Sequence, residues 1–91
     1  MAGVEELARV RSRFVGAASK ELISQLLDDL LEQGIVNDGE KDSILEENTT
    51  TANKARSLID TVRKKGESAS KQMIIHLKDR DPTLHSELGL L

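Results

Sequence analysis

The sequence predicts an all-α fold, a six-helix antiparallel bundle, and three observations carry that prediction. Apolar residues recur at spacings of three and four along most of the chain, and nowhere do they alternate regularly as in a half-buried strand. Phe14 is the single aromatic residue, so Leu, Ile, Val and Ala must fill the core, the composition of packed helices rather than of a β-sandwich. Caps, glycines and one proline cut the 91 residues into short segments with tight connections. A chain of that length makes one domain, 1–91, with one small core and no room for a deep catalytic cleft beside it.

The first helix takes its apolar stripe from Val4, Leu7, Val10 and Phe14, and Gly16 loosens its end. Ser19 is placed to cap the second, where Leu22, Ile23, Leu26, Leu27, Leu30 and Leu31 give the strongest helical periodicity in the chain. Gly34 suits the position just after a helix, where φ must be positive, and Ile35-Val36 follows as a buried connector. Asn37, with Glu40 three residues on, forms a capping box for a short third helix that turns Ile44 and Leu45 inward. Thr49, Thr50 and Thr51 make a poor helix interior and a good cap, so a fourth helix starts there and buries Ala52, Ala55, Leu58, Ile59 and Val62. Arg63, Lys64 and Lys65 complement the dipole at its last turn, and Gly66 stops it. The fifth helix is expected from about Ser68 to Lys78, with Ala69, Met73 and Leu77 on one face. Asp81-Pro82 opens a short sixth helix as cap and first residue; it holds Leu84 and Leu88 and stops at Gly89. Each helix is marginal alone, so stability must come from stacking the six apolar faces.

Composition excludes several classes of function. Without cysteine there are no disulfides, thiolate metal sites or cysteine nucleophiles, which agrees with a reducing, cytoplasmic setting. Glu5 and Glu6 stand where a signal peptide needs bases, and no apolar run can span a bilayer, so no membrane partner is expected. A net charge of −3 argues against nucleic acid as a partner, because such binding is driven by a basic surface. His76, beside Ala69, Met73 and Leu77, reads as a boundary or core histidine, and His85 lacks the companions of a zinc site. No metal and no cofactor is expected. The serines lack a nucleophile elbow or a paired histidine and no glycine run could cradle phosphates, so neither enzymatic activity nor a small-molecule substrate is expected.

What remains is a segregation of charge. From Asp28 to Glu47 the chain has eight acids, Asp28, Asp29, Glu32, Asp38, Glu40, Asp42, Glu46 and Glu47, against the single Lys41. From Lys54 to Lys65 the sign inverts: Lys54, Arg56, Arg63, Lys64 and Lys65 face only Asp60, while Arg9, Arg11 and Arg13 add basic charge near the N-terminus. A small domain with one acidic and one basic side can bind a copy of itself, or a relative, head to tail.

The order of helices, and one set of blocks in particular, resembles the caspase recruitment domain, a six-helix member of the death fold. The blocks are Leu26-Leu27-Asp28-Asp29-Leu30-Leu31, Gly34-Ile35-Val36-Asn37, Glu46-Glu47-Asn48-Thr49-Thr50-Thr51 and Lys54-Ala55-Arg56-Ser57-Leu58-Ile59-Asp60-Thr61-Val62, with Gly66 and a closing Leu88-Gly89-Leu90. The version most like it is that at the N-terminus of inflammatory caspases. The resemblance implies a Greek-key bundle with a bent first helix and a non-enzymatic module that joins like domains into helical filaments. The implied setting is inflammasome, innate-immune or apoptotic signalling, and the implied partners are other domains of the family, on an inflammatory caspase, adaptor or receptor, and the chain itself. A stand-alone decoy that caps a partner and blocks growth is the alternative.

Carried over residue by residue, the resemblance makes Arg11 and Arg56 the basic anchors and Asp28 the leading acidic one. Around them the charge pattern adds Arg13, Lys54 and Arg63 on the basic side, and Asp29, Glu32, Asp38, Glu40 and Asp42 on the acidic side. The sequence departs from the family where Ser12 separates Arg11 from Arg13, and where Arg13 replaces a commonly apolar residue. Asp28 and Glu32 share a helix face that could simply be solvated, but the acidic third helix and the resemblance favour a docking surface. Arg56 is spaced to pair with Asp60 four residues on, and on a straight helix Arg11 would point into the stripe of Leu7, Phe14 and Ala18. Ile75 falls on the side of Lys71 and Lys78, which predicts exposure and, with Lys64 and Lys65, a secondary contact.

Overall fold

The structure is a computed structural model that describes residues 2–90. Among these residues the chain forms six α-helices: α1 (Ala2–Ala17), α2 (Lys20–Glu32), α3 (Asp38–Glu46), α4 (Thr51–Lys64), α5 (Glu67–Arg80) and α6 (Pro82–Glu87). The caps are those expected from the sequence. Ser19, Thr50 and Asp81 accept the N–H groups of Leu22, Asn53 and Leu84, and Asn37 with Glu40 closes a reciprocal capping box on α3. Gly34, Gly66 and Gly89 take the positive φ that ends α2, α4 and α6.

Two boundaries differ from expectation. The first helix runs through Gly16 to Ala17, and Ser19, capping the next helix, makes the break. The fifth extends to Arg80, because only Asp81, held out of the helical region by the following proline, stops it.

Helix α1 packs on α4 and α5, α2 lies across the same pair, α6 closes on α5, and α3 rests on α4 and α2. The core they enclose is continuous. Val10, Ile23, Leu26, Leu27, Leu30, Leu58, Ile59, Val62, Met73 and Leu77 have no solvent exposure, and Phe14 and Leu7 have almost none. Each such aliphatic side chain contributes about 1.5–3 kcal/mol of transfer free energy, which no isolated helix of this length can supply for itself. Val36 seals the connector after α2, and Ile44 is the one fully buried residue of α3.

Two polar devices fix α1. The Glu67 carboxylate, at the start of α5, accepts the N–H groups of Gly3 and Val4 and so caps α1 from another helix. Farther along, Arg9 and Arg13 donate to the carbonyls of Glu87, Leu88 and Gly89, satisfying acceptors that α6 leaves open at its end.

Candidate interaction surfaces

The acidic residues of α2 and α3 divide by what the fold does with them. Asp29 is held within the molecule: the Arg80 fork from α5 bonds both its oxygens at 2.7 and 2.9 Å, and His76 lies 3.7 Å away. Hydrogen bonding from Arg80, opposed by burial, holds the Asp29 carboxyl below the usual carboxylate range. Glu40 is also engaged. It closes the capping box and meets Lys65 at 2.8 Å; Lys65, then the Asn37 N–H, keep it ionised to lower pH. Asp28 stands out into solvent, 62% exposed, with the Lys41 ammonium 2.8 Å from its Oδ1. Glu32, Asp38 and Asp42 are exposed and make no ion pair among the described residues.

The basic residues divide in the same way. Arg11, half-buried at the edge of the α1 stripe, reaches α4 and bonds Asp60 through Nε and Nη2, both at 2.8 Å. Arg63 approaches the same carboxylate at 3.4 Å. Hydrogen bonding to Arg11 outweighs burial and holds the Asp60 carboxyl low, while Asp60 in turn raises the Arg11 pKa. The helical pair expected between Arg56 and Asp60 does not form. Asp60 is taken by Arg11 from across the helix packing, and Arg56 instead bonds the Asn53 side chain one turn back. Arg56 is exposed, and Lys54 is half-buried with no ion pair among the described residues. Arg13 sits on the same helix as Arg11 but is turned to the end of α6.

Of the secondary set, Lys64 is exposed at the end of α4, and among the described residues Ile75 is the one large apolar side chain left out, 50% exposed on α5. Lys65 is tied to Glu40, so it clamps the end of α4 to the start of α3. Sequence reasoning did not find Arg80 or Gln33. With Asp29 and His76 they form a polar seam between α2 and α5, in which Gln33 bonds His76 at 2.6 Å and Gln72 at 3.1 Å. These partners lie 39 to 51 residues apart, and no local spacing signals them. Among the described residues no cluster of His, Asp and Glu is arranged to hold a metal ion, and no helix is long and apolar enough to cross a membrane.

The exposed acids Asp28, Glu32, Asp38 and Asp42 thus lie on α2 and α3, and the exposed Arg13 and Arg56 on α1 and α4. The family model of the caspase recruitment domain matches residues 5–91. The chain belongs to the caspase recruitment domain family. It is 37% identical over 87 residues to human caspase recruitment domain-containing protein 18, an alignment that covers 94% of this chain and 97% of that protein. It is 36% identical over 85 residues to caspase-1-A of Xenopus laevis and 41% identical over 80 residues to rat caspase-1. Those alignments take 93% and 88% of this caspase recruitment domain but only 22% and 20% of the caspases, so the chain spans about a fifth of the caspase relatives it matches. No solved structure gives a significant match. As a member of the family the domain is a homotypic interaction module: caspase recruitment domains bind other caspase recruitment domains.

Proposed function

We propose that this caspase recruitment domain docks head to tail, its acidic α2–α3 face on the basic α1–α4 face of a second copy or of a like domain on an inflammatory caspase, adaptor or receptor. Repeated, that contact builds a helical filament, in the cytoplasm and in innate-immune or cell-death signalling. The observation that carries the reading is the separation of sign by helix: Asp28, Glu32, Asp38 and Asp42 are exposed on α2 and α3, while on α4 Arg56 is exposed and Lys54 half-buried. Asp29, Glu40, Arg13, Arg63 and Lys65 are committed to the internal bonds described above. Ile75 with Lys64 forms a smaller, separate contact. A second form of the same activity, in which the domain caps a partner and stops growth, is compatible with the same family membership.

The test uses one variant defective on each face. In a mixture of Asp28→Lys and Arg56→Ala proteins, one junction keeps both native anchors and the opposite junction has neither. Each variant alone should stay monomeric, and the mixture should sediment as heterodimers that do not extend. Monomers only in the mixture, with both proteins folded by circular dichroism, refute the pairing. Wild-type protein that binds a caspase domain yet never grows beyond a dimer marks the capping form.

A further inference from the structure

The acidic segment carries one cation, and the fold places it on the anchor. Lys41 comes from the first half of α3 and sets its ammonium 2.8 Å from Asp28 Oδ1 on α2. The amine is held there chiefly by Asp28 and then by Asp38 and Asp42 on its own helix, and its pKa is raised for that reason. The two side chains differ in reach. That of Lys41 is 26% exposed and that of Asp28 62%, so the ammonium covers the carboxylate from the α3 side and leaves it facing outward. The second oxygen, Oδ2, makes no hydrogen bond among the described residues.

A guanidinium approaching Asp28 therefore meets a carboxylate with one oxygen occupied and a like charge beside it. The strongest mode of engagement, two parallel N–H···O bonds from an arginine fork, needs both oxygens. We propose that Lys41 is a gate on the acidic face: it holds Asp28 half-neutralised, weakens the docking of a basic partner, and reserves the face for partners able to displace it. This rests on the docking described above and adds the residue that sets its strength. Elsewhere on these two helices the cations that take up acid charge come from α5 or from the end of α4, and they engage Asp29 and Glu40. Lys41 alone sits on an acid that faces outward, so its removal uncovers charge where a partner would land.

The experiment measures a single junction. Arg56→Ala protein supplies only a working acidic face and Asp28→Lys protein only a working basic face, and their dissociation constant is read by sedimentation or calorimetry. Adding Lys41→Gln to the Arg56→Ala protein should tighten the junction about three- to tenfold, while Lys41→Arg, which keeps the charge, should leave it within about twofold. Thermal unfolding of each variant separates the gate from a merely structural clamp between α2 and α3, which would lower the melting temperature without improving binding. Lys41→Met, which keeps most of the apolar stem, gives a second charge-free variant should the glutamine protein fold poorly. Unchanged or weaker binding by folded charge-free variants overturns the gate and leaves the docking standing. No binding between the Arg56→Ala and Asp28→Lys proteins, with Lys41 in place or replaced, overturns both.

Discussion

The same substitution at two glycines of α1 is expected to act with opposite signs. A Cβ at Gly3 would lie 3.0 Å from the Lys71 backbone nitrogen and from the Glu67 carboxylate, so α5 would have to move; at Gly16 there is nothing within 4 Å. Gly16→Ala should therefore stabilise by about 0.5–1 kcal/mol through helix propensity and a less disordered unfolded chain. Gly3→Ala should destabilise by about 1–3 kcal/mol through overpacking. Urea midpoints of the two proteins decide it, and equal gains at both sites would contradict the close approach of α1 to α5. In the core, Leu26→Ala and Leu58→Ala, both at fully buried positions, should each cost about 2–5 kcal/mol, and a loss under half a kcal/mol at both would mean the stripes are wrongly assigned. Buried residues were legible in the sequence, because three- and four-residue spacing is a local signal. Ion pairs were not. Arg56 was expected on Asp60 because the two are one turn apart, yet Arg11, 49 residues from Asp60 in sequence, holds it with two bonds of 2.8 Å. Arg13 likewise carried no sign that it serves α6.

At the scale of elements, α6 is the shortest helix, and α1 secures it through Arg9 and Arg13. Replacing both arginines by alanine should leave the bundle folded but speed amide exchange at Leu88, Gly89 and Leu90 well beyond that in α2. Unchanged protection there would show that the apolar contacts of Leu84 and Leu88 suffice. The same helix contains a buried histidine whose Nε2 has no partner among the described residues. Burial, aided by the positive charge of Lys78, lowers the His85 pKa, so the unfolded chain takes up this proton more readily than the folded one. The His85 contribution is thus fully present above the ordinary histidine pKa of about 6.5 and is lost as pH falls below it. Urea midpoints measured at neutral pH and at about pH 5.5 should show that loss, and His85→Leu should abolish it. The N-terminal caps were legible for every helix from α2 onward except α5, whose end also falls beyond the expected Lys78. Gly66 offers no side-chain cap, and Glu67 turns its carboxylate to α1 rather than to its own helix.

On the scale of the whole molecule, the charge pattern predicts two separable responses. The body measures 30 × 24 × 20 Å, while surface charges are screened within about 8 Å at physiological salt, so each face acts on a partner only at close range. Raising salt from dilute buffer to half-molar should slow assembly, as followed by light scattering, and leave circular dichroism unchanged; growth indifferent to salt would remove charge as the drive. Acid should act on the fold itself. Asp60, Asp29 and Glu40 are held low by Arg11, Arg80 and Lys65, so their contribution is full above the ordinary carboxylate pKa of about 4 and is lost as pH falls below it. A second drop in the urea midpoint, below that of His85, is expected there. The sign of each face was legible because charge clusters run along the sequence. Which charges remain available was not, since that depends on side chains brought together by packing, as Lys41 is with Asp28 and Arg80 with Asp29. The capping of Gly3 and Val4 by Glu67 also bears on the order of events during synthesis. The first helix leaves the ribosome long before its acceptor, 63 and 64 residues downstream, has been translated. Until α4 and α5 arrive it has no docking site and is too short to be stable alone. The native bundle therefore closes late and nearly all at once, and a nascent chain stalled before α5 displays the apolar stripe of α1 to whatever chaperone is at hand.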